Sequence, residues 1–278
     1  MGTSNEREMN QLCDVMRRAG KIVLQIRKDG FRTEHKYNDD PLTTADLEAN
    51  RILKEYLTKK FPDYGWLSEE TCDQPERLAK RHVWIVDPID GTKELVNGIP
   101  EFAISVALVQ DGHPVVAAVH NPATGELFAA VRGQGFRPNG EINPGRYRTG
   151  NRPVILASRT EVAKGRFKSF DGHAEIQAVG SIAYKLALLA AGRADATVSL
   201  EPKNEWDIAA GVLLVEESGG TVTDIDGMPF IFNRPNTLVN GVVAARAGAY
   251  NRIQTLIKEC LAENRGENAT REIFRDRS

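Results

Sequence analysis

The sequence predicts a mixed fold, an α+β first half over residues 1–145 followed by an α/β second half over residues 146–278. Three observations carry this. Two helix-period segments open the chain, and from 102 to 138 the pattern turns to successive strands joined by tight turns. From 153 onward strands and helices alternate, as in an α/β layer. Between them, residues 139–152 are rich in Gly, Pro, Asn and Arg and read as a boundary.

Residues 7–29 place Met9, Leu12, Val15, Met16, Ile22, Val23 and Ile26 at helical spacing, and Gly30 is the stop. Thr43-Thr44-Ala45-Asp46 starts a second helix with Ala49, Ile52, Leu53 and Tyr56 on one side. Phe61-Pro62-Asp63-Tyr64-Gly65 is a turn, and Trp66-Leu67-Ser68 is a short strand leading into Glu69-Glu70. A short helix near 75–81 precedes a strand over 82–87. Residues 102–109 are an almost unbroken apolar run, which marks a buried strand, and Asp111-Gly112 is a hairpin turn into a strand over 114–120. Short strands fit 126–131 and 134–138; Gly133-Gln134-Gly135 has no helix after it, so it is a turn and not a dinucleotide loop. In the second half, strands fit 153–157, 175–179, 195–199, 221–224 and 241–245, with helices near 160–167, 181–191, 206–218 and 248–263. The polar, charged tail 264–278 is expected to fray.

With 278 residues the chain has ample core, and its formal net charge of −2, with Lys and Arg spread along its length, excludes a basic footprint for a nucleic-acid polymer. No apolar run approaches the roughly 18 residues that span a membrane. The N-terminus lacks a signal-peptide core, and Glu6 stands where an N-myristoylation signal has Ser or Thr. Cys13, Cys72 and Cys260 are isolated and odd in number, which reads as free thiols in a cytoplasmic protein.

The most informative stretch is Trp84-Ile85-Val86-Asp87-Pro88-Ile89-Asp90-Gly91-Thr92. A buried strand end is followed by two carboxylates around a proline. Pro88 has no N–H and is expected to end the ladder and turn the chain, swinging Asp87 and Asp90 toward one point. Two such carboxylates repel unless a cation sits between them, and a hard divalent ion with oxygen ligands, Mg²⁺ beside phosphate, answers that need. Gly91 and Thr92 offer N–H groups and a hydroxyl; a helix starting there suits a phosphate. The same run also reads as a capped turn between strand and helix. Glu69-Glu70, taken alone, reads as a solvated acidic loop, of which at most one side chain is a ligand, and Asp46 and Asp207, taken alone, each read as helix caps. All four segments, however, lie at strand ends or helix starts, positions that gather at one end of a sheet.

Here the chain resembles the lithium-sensitive, magnesium-dependent phosphatase superfamily of inositol monophosphatase. The motifs are the run 84–92 and Trp206-Asp207-Ile208-Ala209-Ala210-Gly211, supported by Leu67-Ser68-Glu69-Glu70, Leu42-Thr43-Thr44-Ala45-Asp46 and Glu217-Ser218-Gly219-Gly220, and the match covers about residues 8–262. The resemblance implies a layered α/β/α/β/α sugar-phosphatase fold. It implies Mg²⁺ at two or three sites, inhibition by Li⁺, and hydrolysis by activated water without a covalent intermediate. By it, Glu69, Asp87 and the Ile89 carbonyl hold one ion, and Asp87, Asp90 and Asp207 a second. Asp46 and Thr92, with Glu69, are the implied catalytic residues, Thr92 and Asp46 orienting the water. Gly91, Thr92, Ser181, Lys185, Glu201 and Asp207 are the implied substrate contacts, with Tyr184 a further candidate.

Within that superfamily, Asp90-Gly91-Thr92-Lys93-Glu94, Glu205-Trp206-Asp207 and Gly180-Ser181 followed by Lys185 resemble the 3'(2'),5'-bisphosphate nucleotidase branch of the CysQ type, which implies adenosine 3',5'-bisphosphate as substrate. Leu95 departs from that branch, which has Phe. Inositol-1-monophosphatase is the alternative: its sugar-contacting Glu falls here on Leu200, with Glu201 one residue on, so a loop shift is needed to bring Glu201 into the pocket. An inactive phosphometabolite-binding module should lack a ligand or Thr92, and none is missing. A haloacid-dehalogenase phosphatase needs D-x-D near the N-terminus, which this chain lacks. The expected partner is a small phosphorylated metabolite, with no nucleic acid and no membrane, a homodimer being allowed but not required.

Overall fold

The computed structural model describes residues 4–35, 41–139 and 152–275. The first helix, α1 (Ser4–Asp29), turns Leu12, Val15, Met16, Ala19 and Val23 inward at helical spacing. A short antiparallel pair, β1 (Thr33–His35) and β2 (Pro41–Thr43), leads into α2 (Thr44–Lys60). Thr43 caps α2: its hydroxyl accepts from Ala45 N, while Asp46 reaches back to the Thr43 N–H in a capping box. Then come β3 (Gly65–Ser68), a 3₁₀ turn over Pro75–Ala79, β4 (His82–Asp90) and the five-residue α3 (Thr92–Val96). A meander follows: β5 (Ala103–Gln110), β6 (His113–Asn121), β7 (Glu126–Val131) and β8 (Phe136–Pro138). Strands β3 to β8 make one six-stranded sheet in sequence order, with only the β3–β4 pair parallel.

The second half adds β9 (Val154–Ser158), α4 (Arg159–Ala163), β10 (Glu175–Val179), α5 (Ile182–Ala190) and β11 (Ala196–Ser199). After β12 (Lys203–Asn204) and α6 (Glu205–Glu217) come β13 (Thr221–Thr223), β14 (Leu238–Val239), β15 (Val242–Ala245) and α7 (Tyr250–Arg275). The five-stranded sheet runs β10-β9-β11-β15-β13, and β12 pairs with β14 apart from it.

Side-chain alternation stacks these elements into five layers. Trp84 and Val86 of β4 join Leu12, Met16 and Leu53 in the core between the six-stranded sheet and α1/α2. Their neighbours Val83 and Ile85 face the other way, into a core shared with α5, α6 and the second sheet. Ile155, Val198 and Val243 pack under α7 through Ile253 and Ile257. The order is therefore α/β/α/β/α, as the resemblance implied. α5 and α6 are buried on nearly all sides, which is why their sequences carry so little polar periodicity. They approach closely at Gly211, where a Cβ would meet Leu186 Cδ1 at 2.4 Å.

Three expectations change. Pro88 does not end its strand: β4 continues to Asp90 with a register shift between Asp87 and Asp90, a bulge that needs no donor from the proline. The helix near 160–167 is only Arg159–Ala163, because Gly165 at φ +74 leaves helical space and a 3₁₀ turn follows at Lys168–Phe170. The last helix runs on to Arg275; no proline interrupts it. The expected boundary between residues 145 and 146 lies outside the described residues.

Candidate active site

The β4 bulge aims two neighbouring acids into one cavity. Asp87, 1 % exposed, accepts Ile89 N on Oδ1 at 3.0 Å, so the bulge is braced by the carboxylate it presents. Gly91 then turns the chain at φ +95, with a would-be Cβ 3.1 Å from Glu101 O. Thr92 starts α3, and its Oγ1 donates to Asp46 Oδ1 at 2.8 Å and lies 3.0 Å from Ile89 O. Asp46 is thus a helix cap and the partner of Thr92 at once, Oδ2 taking Thr43 N at 2.8 Å and Thr43 Oγ1 at 2.5 Å.

Parallel pairing brings in the next acid. Ser68 sits opposite Val86, and Glu69 N donates to Val86 O at 3.2 Å, so Glu69 leaves β3 beside Asp87. From the second half, Asp207 stands in the first turn of α6, its Oδ2 accepting Asn204 N at 2.8 Å. Asp90 Oδ2 accepts Ser181 Oγ and Ala183 N, both at 2.6 Å, which binds β4 to the start of α5. Ser181 takes φ 53 to do so, a conformation uncommon for serine.

Glu69, Asp87, Asp90 and Asp207, with Ile89, Gly91 and Thr92, line a cavity of about 240 Å³. Ser181 and Lys185 line it too. Burial first, then the charges of Glu69, Asp90 and Asp207, holds the Asp87 carboxyl well above the usual carboxylate range. Burial, with Asp90 and Glu69, pushes Asp207 up to about 8. Burial also raises Asp46, against its hydrogen bonds from Thr43 and Thr92. Lys185 is brought down to about 8 by burial, against the pull of Asp90, and its Nζ donates to Val179 O at 3.1 Å.

This donor set suits a hard divalent cation: five carboxylate residues, Glu69, Asp87, Asp90, Glu94 and Asp207, line the cavity with Ile89, and no sulfur or imidazole does. Among the described residues no three acid, histidine or cysteine side chains already surround one point at ligand distance. Asp87, Asp90 and Asp207 each give one oxygen to a protein donor.

Two expected contacts fall elsewhere. Glu201 is not at the cavity; its carboxylate pairs with Lys164 Nζ at 2.8 Å, and buried Glu161 clamps its backbone N–H at 3.1 Å. Tyr184 turns away to donate to Glu126 Oε2 at 2.6 Å. Conversely, Lys93, Glu94, Ser158, Thr160 and Lys203 line the cavity without a contact expected of them from the sequence. Ser158 ends β9 and Lys203 lies four residues before Asp207, so the strand-end rule that found the acids reaches them as well.

The inositol monophosphatase family model matches residues 5–268. The chain belongs to the inositol monophosphatase family. It is a phosphatase of that family. It is 40% identical over 230 residues to an inositol-1-monophosphatase of Rhizobium meliloti, covering 79% of this chain and 86% of that one. It is 31% identical over 249 residues to a 3'(2'),5'-bisphosphate nucleotidase CysQ of Haemophilus influenzae, covering 86% of this chain and 93% of that one. The crystal structure of the extragenic suppressor protein suhB from Bartonella henselae superposes with a TM-score of 0.78 at 29% identity, over 91% of this chain and 98% of that one. The family's relatives therefore divide among differently named proteins, and no helix among the described residues is long and apolar enough to cross a membrane.

Proposed function

We propose that this protein is a Mg²⁺-dependent phosphomonoesterase that removes one phosphate from a small bisphosphorylated metabolite of the adenosine 3',5'-bisphosphate kind. The observation that carries the reading is the mixed charge of the cavity lining. Beside the acids the lining carries Lys93, Lys185 and Lys203, with Ser158 and Thr160. A monophosphate needs only the acids and the ions they would hold; lysines in the same cavity suit a second anionic group.

Glu69, Asp87, Asp90, Asp207 and the Ile89 carbonyl would hold two or three Mg²⁺ ions. Those ions supply neutralisation of a phosphate dianion and a water made acidic enough to react near neutral pH. The protein supplies the aim. Thr92 donates a hydrogen bond to Asp46, so its lone pairs are left to accept from a water held for in-line attack. Gly91 and Thr92 N–H groups would hold the phosphate as charge builds on its oxygens. Li⁺ would compete at the Asp90/Asp207 position.

Inositol 1-phosphate is the second reading, favoured by the 40% identity to the Rhizobium meliloti inositol-1-monophosphatase. Against it stands Glu201, engaged with Lys164. Phosphate release from adenosine 3',5'-bisphosphate, inositol 1-phosphate, fructose 1,6-bisphosphate and histidinol phosphate decides between them. The bisphosphate should give the highest kcat/KM; a preference for inositol 1-phosphate would replace the first reading with the second.

A further inference from the structure

Both halves of the molecule wall the cavity, Glu69 from the end of β3 and Asp207 from the first turn of α6. A set of hydrogen bonds outside the cavity joins these two walls. Arg77, in the turn Pro75–Ala79, is only 2 % exposed. Its Nε and Nη2 donate to the two Asp73 oxygens at 2.6 and 2.8 Å, closing the segment that leaves Glu69. Its other donors cross to the second half: Nη1 to Asn233 Oδ1 at 2.7 Å, and Nη2 also to Arg234 O at 3.0 Å. Asn233 Nδ2 returns a bond to Arg77 O at 3.2 Å.

The Asn233–Arg234 corner is gripped in turn by Glu205, which is fully buried. Its Oε2 accepts Asn233 N at 2.6 Å, and its Oε1 accepts Arg234 N at 3.1 Å and Arg234 Nε at 3.2 Å. Glu205 opens α6 two residues before Asp207, and its own N–H donates to Thr237 O at 2.9 Å. A buried arginine and a buried glutamate are costly unless every bond is made. Here the bonds run through one corner, with Asn233 held at φ 61, where Asn is among the few residues that sit readily. The planar guanidinium fork fixes direction as well as charge, which a lysine does not.

We propose that Arg77, Asn233 and Glu205 are positioning residues that set the separation of Glu69 and Asp207, and with it the affinity of the site for divalent cations. The inference rests on the reading of Glu69 and Asp207 as cation ligands. None of the three lines the cavity, so none touches substrate. Breaking the tie leaves every ligand present while the two walls keep their shared core but lose the polar bonds that join them beside Glu69 and Asp207.

The decisive variant is Asn233→Gly. Glycine accepts φ 61, so the corner keeps its course and its N–H bond to Glu205, and only the side-chain link to Arg77 is cut. Mn²⁺ binding to the full chain without substrate, followed by electron paramagnetic resonance, should weaken about 10-fold or more, as when partners behind metal ligands are removed. The Mg²⁺ concentration for half-maximal activity should rise by the same factor, with substrate KM at saturating Mg²⁺ moving less than about 2-fold. Glu205→Gln should shift both in the same direction, and Arg77→Lys should not restore the bidentate clamp. Arg137→Ala, which cuts the Arg137–Glu6 pair on α1, is the stability control and should leave Mn²⁺ affinity unchanged. Wild-type protein that binds no Mn²⁺ would overturn the cation reading itself. Wild-type protein that binds Mn²⁺, with Asn233→Gly binding it equally well or the Arg137 control losing as much, would overturn the tie alone.

Discussion

Thr92 and Asp46, 46 residues apart, share a hydrogen bond of 2.8 Å in which the threonine hydroxyl donates to a carboxylate that also caps α2. The cap and the pair with Thr92 are therefore one arrangement. The capping bonds use Asp46 Oδ2, which leaves Oδ1 for Thr92 and fixes the direction of its hydroxyl.

Thr92→Ala should therefore cut kcat by roughly 10²-fold or more and leave KM nearly unchanged, the mark of a contact made in the transition state. Asp46→Asn should behave alike, and the double variant should be hardly worse than either, since the two act as a unit. The measurement is a double-mutant cycle on kcat with the preferred substrate. Additive losses would mean that Asp46 serves the helix alone.

Without metal, stability should fall as pH rises. Asp207 is held at about 8 in the folded chain, against about 4 unfolded, and Asp87 and Asp46 shift the same way. The folded state then binds more protons than the unfolded one between those values, so stability present at pH 4 is lost as pH climbs through 8. Lys185, lowered to about 8, acts in the opposite sense, but between pH 8 and its unfolded value near 10.5. Thermal unfolding in EDTA should thus show Tm dropping from pH 5.5 to 8, while the gain on adding Mg²⁺ widens over the same range. Asp207→Asn should flatten the EDTA curve and abolish turnover. A Mg²⁺ gain independent of pH would contradict the assignment.

Lys203 tests the role of the cavity's lysines. Replacing it with methionine keeps most of the stem and removes the charge. KM for adenosine 3',5'-bisphosphate should rise about 10-fold or more, the scale of a lost charge-assisted bond, with inositol 1-phosphate affected less than about 2-fold. Equal effects on both substrates would show that Lys203 reads the scissile phosphate or nothing at all.

The acids were legible because each sits where a strand stops or a helix starts, and such ends converge in layered folds. Asp87 and Asp90 stood out by spacing, Glu69 by following a strand. Pro88 misled, since a missing donor can be absorbed by a bulge as well as by a strand end. Glu201 was not legible: whether it enters the cavity depends on Glu161, 40 residues earlier, which holds the Leu200 and Glu201 N–H groups. The Arg77–Asn233 link was equally hidden, because nothing local in Pro75–Ala79 signals a partner 156 residues away.

Ser181 offers the last test, because two costs meet at one residue. Its φ of 53 is strained for a residue with a Cβ, while its hydroxyl both donates to Asp90 at 2.6 Å and accepts Tyr184 N at 3.0 Å. Ser181→Ala removes the hydroxyl and keeps the strain; Ser181→Gly removes both. Both variants free one Asp90 contact and should lower kcat together. In stability they should part, glycine exceeding alanine by about 1 kcal/mol or more, the scale of a left-handed non-glycine residue. Denaturant unfolding of the two variants reads the difference directly. Equal stabilities would mean that the backbone at Ser181 is relaxed, and that the serine stands there for its hydroxyl alone.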